Sequence, residues 1–314
     1  MFSLSHITLK GTQQPRLDDV TLTIDSPRTA IVGYSGAGKT SLLNVLSGFE
    51  KPDSGVREVC VPFDNVKQRL PFFWVPENGG LWPHLTVDRH LDSMNASREP
   101  SAAILESLDL NHRRTAIPAE LSQGERSRLS LARALASKAT VLILDEPLSH
   151  VDPVRKPRYW DAVRRLAERD CISLVFSSHE PETVLRHSTH VICMHEGRVL
   201  FDGPTGVLYE SPPNRLAGEF LGPLNWFEVD EIASFFGESA TSQSSLTVRP
   251  ERLQLEIDPA SGIELVASPS HSGAFAESIV RHTLSGKCRS VISLVATDAL
   301  RTGQRVRFAV TQQR

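Results

Sequence analysis

Apolar residues are patterned differently along successive stretches of the chain, and each pattern predicts a different element. Residues 2–9 and 20–24 alternate or cluster β-formers and predict strands of one sheet. Thr29-Ala30-Ile31-Val32 is a short apolar strand, and Ser41-Leu42-Leu43-Asn44-Val45-Leu46 predicts the first turns of a helix. Strand-like runs follow at 56–61 and 72–76, after the turn signal of residues 51–55. Val141-Leu142-Ile143-Leu144 and Ile172-Ser173-Leu174-Val175-Phe176 are apolar almost without interruption, as strands buried on both faces of a parallel sheet are.

Between these strands the period lengthens. Residues 88–117 are polar and helix-forming, with breaks expected at Pro100 and Pro118. A stronger helix is expected from Arg126 to about Ser137, with Ser122 a candidate cap. Another helix puts Trp160, Val163, Leu166 and Ala167 on one face. Residues 189–202 read as a hairpin turning at Glu196-Gly197, and short helices fill about 204–221. After Leu224 the pattern becomes a series of strand-sized runs at 246–249, 252–257, 263–267, 274–281, 289–295 and 305–310. These predict a small β-barrel or sandwich without helices, with a hinge at Ser239 to Ser245. No catalytic constellation is visible in that last part.

The chemistry lies at the ends of the predicted strands. Gly33-Tyr34-Ser35-Gly36-Ala37-Gly38-Lys39-Thr40 has the spacing G-x-x-x-x-G-K-[ST] between a strand and a helix. Its glycines let backbone N–H groups turn towards phosphate oxygens, and the helix N-terminus adds a positive dipole end. Lys39 would reach the outer phosphates and the Thr40 hydroxyl would take a place on Mg²⁺. A Gly-rich turn matching by chance is the plain alternative. Asp145 and Glu146 follow the buried strand 141–144, where open α/β sheets place their ligands. Two acids there need compensation, which Mg²⁺ would give; a solvated strand end is the other reading. His179 also ends a strand; a lone histidine there is more often structural, and its value comes from the residues that accompany it.

Composition narrows the class. The 314 residues suffice for two domains, 40% are apolar and 23% charged, and the net charge of −3 disfavours a broad basic nucleic-acid surface. Cys60, Cys171, Cys193 and Cys288 are scattered, with no metal or disulfide spacing, as expected in a reducing compartment. The N-terminal residues carry no signal-peptide pattern, and no apolar run approaches the roughly 20 residues of a membrane span. A cytosolic protein is expected, or one that docks on a membrane through a partner.

Taken together, the segments resemble the ATP-hydrolysing subunits of ATP-binding-cassette transporters over residues 1–221. Residues 33–40 are similar to Walker A, Leu121-Ser122-Gln123-Gly124-Glu125 to the signature, and 141–146 to Walker B. Ser149-His150-Val151-Asp152 is similar to the D-loop and His179 to the switch histidine. Phe220 to Asn225 and Val248-Arg249-Pro250-Glu251 resemble the linker and oligonucleotide-binding-fold-like regulatory domain of importer ATPases for maltose, polyamines, ferric iron or molybdate. The resemblance implies an α/β fold: a P-loop (RecA-like) core with an antiparallel β subdomain and a helical subdomain near 86–137, then a small all-β OB-like domain. The boundary is expected at 223/224.

The family's roles map residue by residue. Gly33, Tyr34, Ser35, Gly36, Ala37, Gly38, Lys39, Thr40 and Ser41 would hold ATP. Thr40, Asp145 and Glu77 would hold Mg²⁺, and Glu146 would be the general base, with His179 on the γ-phosphate. Ser122, Gln123, Gly124 and Glu125 would meet ATP on a second copy, with Asp152 near the shared interface. The implied partners are that second copy, membrane permease subunits and, indirectly, a solute-binding protein; nucleic acid is not expected. The implied place is the cytoplasmic face of the cell membrane, with loop 77–87 and the helical stretch after it as the docking groove. Two departures stand out. Glu77 occupies the usual Gln position, so a metal contact with altered coupling is expected. The adenine-stacking aromatic is missing from Gly11-Thr12-Gln13-Gln14-Pro15-Arg16, leaving Arg16 or an aliphatic surface for the base. A soluble cassette ATPase acting on nucleic acid or ribosomes, and a catalytically weakened regulatory cassette, are the alternatives.

Overall fold

Alternation near the N-terminus produces β1 (Phe2–Leu9) and β2 (Leu17–Ile24), paired antiparallel with Leu4 opposite Leu22. The computed structural model describes residues 1–61, 70–94, 98–237, 245–295 and 300–311. Next come β3 (Arg28–Val32), α1 (Lys39–Ser47), β4 (Ser54–Val59) and β5 (Phe72–Val75). The helical stretch contains α2 (Val87–Asp92), α3 (Arg98–Ser107) and α4 (Gln123–Ala136), with short 3-10 turns at Asn111–Arg113 and Pro118–Glu120. Then follow β6 (Val141–Leu144), α5 (Lys156–Arg169), β7 (Ser173–Ser177), α6 (Pro181–His187), β8 (His190–His195) and β9 (Arg198–Pro204).

The uninterrupted apolar strands form the centre of the molecule's first compact unit, Met1–Gly206. The main sheet has the order β5-β6-β7-β3-β8-β9, with only β9 antiparallel to its neighbour. A second, antiparallel sheet has the order β2-β1-β4. One core cluster joins Phe2, Leu4 and Leu22 of that sheet to Leu42, Leu43 and Leu46 of α1 and to Ile31, Val141, Ile143 and Val175 of the main sheet. Each fully buried aliphatic side chain there contributes about 1.5–3 kcal/mol. On the opposite face Trp160 of α5 packs on Phe176, ring centroids 4.8 Å apart. Both faces of the parallel strands are therefore covered, which is why their sequences do not alternate.

Two expectations in this unit change. The helix expected from Arg126 begins at Gln123, because Ser122 caps it. Pro100 does not break a helix: it lies in the first turn of α3, where its missing N–H has no intrahelical acceptor to lose.

The second compact unit, Val207–Arg314, holds most of α7 (Thr205–Glu210), then α8 (Arg215–Glu219), β10 (Asn225–Phe227), α9 (Val229–Phe236) and β11 (Leu246–Val248). Its remaining strands are β12 (Leu253–Ile257), β13 (Ile263–Leu265), β14 (Ser270–Ser272), β15 (Phe275–His282), β16 (Cys288–Leu294) and β17 (Val306–Val310). They pair as β10-β11, β12-β17, and a four-stranded set in which β13, β14 and β16 all join β15. The expectation of strands without helices fails at α9, whose Ile232 and Phe235 enter the same core as Phe227, Leu253, Val280 and Val306. The hinge expected at Ser239 to Ser245 lies, apart from Ser245, outside the described residues.

The expected boundary at 223/224 and the division at 206/207 differ for a physical reason. Buried Arg249 donates to the carbonyls of Tyr209, Gly218, Gly222 and Pro223, and its guanidinium lies 4.2 Å from the centre of the Tyr209 ring. One side chain thus ties α7, α8 and the segment after them to the β-rich part. Among the described residues no helix is long and apolar enough to cross a membrane.

Candidate functional site

The loop after β3 curls because its glycines permit it. Gly38 has φ +102°, and a Cβ there would come within 2.6 Å of the Arg16 carbonyl oxygen. It precedes α1, which has neither a side-chain cap nor an acid in its first turn. The first N–H groups of α1 are thus left for another acceptor, at the positive end of the helix dipole. Lys39 donates from Nζ to the carbonyls of Gly33 (2.8 Å) and Tyr34 (3.2 Å), which places its charge inside the curl. Ser35 through Ser41 line a cavity of about 460 Å³ together with Glu77, Asp145, Glu146, Ser149, His179 and Arg16. That volume is typical of a cleft for a small organic ligand.

Strand register explains how residues more than a hundred positions apart meet. Leu144 of β6 lies level with both Val75 of β5 and Phe176 of β7, and Ile31 of β3 lies level with Ser177. The carboxyl ends of four adjacent parallel strands therefore deliver Glu77, Asp145 and Glu146, His179, and the Gly33–Thr40 loop to one edge. Asp145 is 1% exposed and fully engaged. Its Oδ2 accepts from Thr40 Oγ1 at 2.7 Å and its Oδ1 from Ser177 Oγ at 2.6 Å. Ser177 Oγ in turn accepts from the Glu146 N–H at 2.8 Å.

Glu146 has φ +46°, a left-handed conformation unusual for a residue with a Cβ, which costs about 1–3 kcal/mol. The turn lifts its carboxylate off the strand line towards His179, and Glu146 Oε2 lies 2.9 Å from His179 Nδ1. A carboxylate only accepts, so Nδ1 carries the hydrogen. Burial pushes the Glu146 carboxyl up from the ordinary range, while His179 and Lys39 pull it back. A carboxylate raised in this way is a better proton acceptor than an exposed one. The His179 loop is braced by Glu180, which pairs with buried Lys156.

The signature-like segment lies outside this cavity. Ser122 caps α4: its Oγ accepts from the Glu125 N–H at 3.2 Å, and Glu125 accepts from the Ser122 N–H at 2.8 Å. Glu125 turns inward to Arg113, 2.9 Å away. Burial would raise its pKa, but the Ser122 N–H and the Arg113 guanidinium outweigh that and hold it at about 2. Gln123 instead lines a smaller cavity of about 170 Å³, which Glu77, Gly79, Ser130 and Asp145 also border. Asp152 is exposed and caps its own turn, accepting from the Val154 N–H at 2.8 Å. Gly33 and Tyr34 contribute carbonyls to Lys39 rather than cavity wall. Arg16 does border the cavity, held by an ion pair with Glu50 and by the Lys10 carbonyl.

Sequence reasoning gave no role to Ser177. Its signal is a serine closing an apolar strand, and its function as the bridge between Asp145 and Glu146 depends on a register that sequence does not display.

A glycine-rich loop leading into an uncapped helix, with acids and a histidine on the neighbouring strand ends, defines a P-loop nucleotide-binding protein. The comparisons with known proteins give the family. Residues 17–149 match the ABC transporter family. The Fe(3+) ions import ATP-binding protein FbpC of Brucella melitensis is 30% identical over 306 residues, covering 90% of this chain and 85% of the relative. The spermidine/putrescine import ATP-binding protein PotA 1 of Pseudomonas aeruginosa is 30% identical over 266 residues, 74% of this chain and 71% of the relative. The sulfate/thiosulfate import ATP-binding protein CysA of Gloeobacter violaceus is 34% identical over 242 residues, 73% and 69% of the two chains. This chain belongs to the ATP-binding subunits of the ABC transporter family. A solved dimeric ATP-binding cassette in a post-hydrolysis state with ADP and Pi has a TM-score of 0.57 at 23% identity, covering 65% of this chain and 98% of its own. At that identity the likeness concerns the fold.

Proposed function

We propose that this chain hydrolyses ATP in a Mg²⁺-dependent manner to drive solute import through separate permease subunits. The observation that carries the reading is the juxtaposition at one cavity edge of Thr40–Asp145, Glu146–His179 and Lys39. The donor set fits a hard cation: a hydroxyl and a buried carboxylate already 2.7 Å apart, beside the exposed carboxylate of Glu77. Thr40, Asp145 and Glu77 would hold Mg²⁺, which supplies charge neutralisation on the phosphates. Lys39 and the N–H groups of α1 bind and orient the phosphate chain. Glu146 takes the proton of the attacking water, and His179 keeps that carboxylate oriented and contacts the γ-phosphate.

The second unit is a regulatory domain with OB-like character on this reading, and the first the ABC-type ATP-binding domain. Two copies would share their sites, with Ser122, Gly124 and Asp152 of each facing nucleotide on the other. The pair would sit on the cytoplasmic face of the membrane against permease subunits. The three relatives named above are all import ATP-binding proteins, which supports import as the direction.

ATP turnover of the purified chain should require Mg²⁺ and fall by about 10²–10⁴-fold in Glu146→Gln, with nucleotide affinity nearly unchanged. Unaltered turnover in that variant removes Glu146 from the chemistry. If Glu77→Gln leaves both rate and Mg²⁺ dependence as they were, Glu77 has no metal role. Failure to co-purify with any membrane protein from native membranes counts against the transporter assignment.

A further inference from the structure

The residues between Glu77 and α2 are fixed to α4 by one side chain. Arg133 donates from Nη1 to the Gly80 carbonyl at 2.6 Å and from Nη2 to the Gly79 carbonyl at 2.9 Å. Its guanidinium lies 4.8 Å from the centre of the Trp82 ring and 5.5 Å from that of Phe73. It is 4% exposed, and among the described residues no carboxylate pairs with it. The planar fork is therefore spent on two successive carbonyls of one turn, a task the single ammonium of lysine does not reproduce.

The far side of the turn is held as firmly. The His90 ring stacks on Trp82 at 5.5 Å and its Nε2 accepts from the Trp82 N–H at 3.0 Å. Because Nε2 accepts, Nδ1 carries the proton and donates to the Thr86 carbonyl at 2.9 Å. Gly79 presses directly on α4: with φ +76°, a Cβ there would come within 2.3 Å of Ser130 Oγ. The turn and the helix therefore have little freedom to move apart.

This matters because the two joined pieces belong to different half-sites. Glu77 borders the chain's own nucleotide cavity, two residues before the clamped carbonyls. Ser122, the cap of helix α4, lies eleven residues before Arg133, about 16 Å along a rigid rod. Glu77 and Gln123 also border the same 170 Å³ cavity, so the two segments approach each other at the helix start as well.

We propose that Arg133 is a positioning residue that locks the Glu77 turn to α4, so that the chain's own cavity sets the orientation of the Ser122–Gly124 segment offered to a second copy. The proposal rests on the reading above that this segment meets the second copy's nucleotide.

The test is Arg133→Lys in the full chain, measured for folding, for fluorescent ATP-analogue affinity, for ATP-dependent dimerisation in the Glu146→Gln background, and for turnover in the otherwise unaltered chain. Affinity should stay within about twofold, since the 33–40 loop is untouched. ATP-dependent dimer should fall about fivefold or more, and kcat about tenfold or more with KM nearly constant, as expected of misplaced rather than missing groups. A folded Arg133→Lys that dimerises and turns over within twofold of its parent overturns the proposal. If Arg133→Lys does not fold, Gly79→Ala displaces the turn from Ser130 instead, with the same readouts and the same overturning result; adding Ser130→Ala should restore dimerisation. The two readings fail separately. An unsubstituted chain that dimerises with ATP but does not turn it over contradicts hydrolysis and leaves the dimerisation arm to decide the clamp, whereas no ATP-dependent dimer in the parent rejects the clamp outright.

Discussion

Glu146 carries three constraints that pull on one side chain. Its backbone is held left-handed, its N–H is fixed by Ser177, and its carboxylate is held by His179. Burial raises its pKa first, and the His179 ring lowers it. The sign of a pH prediction follows. A general base works ionised, so the rate falls as pH drops through the Glu146 pKa. His179→Ala removes a group that holds that pKa down, so the acid limb of kcat should move to higher pH in addition to any loss of rate. A pH–rate profile of the residual activity checks this; an unmoved limb would separate His179 from the ionisation of Glu146. The identity of Glu146 is legible in sequence because Asp145 and Glu146 close an apolar run. Its strain is not: Asp145 and Pro147 beside it signal a turn, but a glutamate at 146 gives no sign that its own φ is positive.

Helix α4 shows how one element serves two purposes. Ser122 stabilises its start, and an alanine at such a cap costs about 1 kcal/mol whereas glycine costs a few tenths. Ser122→Ala and Ser122→Gly both remove the hydroxyl. If the hydroxyl serves hydrolysis on a second copy, turnover should fall by about tenfold or more in both, while only Ser122→Ala loses appreciable thermal stability. Activity that instead tracks the melting temperature would make Ser122 a cap and nothing more. Glu125 is engaged within the chain by Ser122 and Arg113, which is why it is turned away from the surface that the resemblance gave it. The helix itself was legible from its Leu and Ala spacing. Its first turn was not, because Gln123, Gly124 and Glu125 form no apolar stripe and their helicity comes from the cap.

At the scale of the molecule, the two units are stabilised by different means. The first has a sheet covered on both faces; the second closes small sheets around Phe227, Phe235 and Val280, with Arg249 binding its helical entry. Arg249→Met keeps the volume but removes the donor shared by four carbonyls, that of Gly218 buried and those of Tyr209, Gly222 and Pro223 partly buried. It should destabilise the second unit by about 3–5 kcal/mol, visible as a lower-temperature transition, with ATP-analogue binding at Gly33–Thr40 retained. Loss of both together would mean that the units do not unfold separately.

Local sequence alone determined the phosphate loop, the buried parallel strands, most of the late strands and the chemical identity of Asp145, Glu146 and His179. These follow from period, turn chemistry and motif spacing within a few residues. Tertiary structure decided the rest: Ser177 between Asp145 and Glu146, Arg133 on Gly79 and Gly80, and Arg249 on the carbonyls of Tyr209 and Gly218. Those partners lie 31, 32, 54, 53, 40 and 31 positions apart. A polar side chain reads the same in sequence whether it meets water or a buried acceptor, and only the register of strands and the packing of helices settles which.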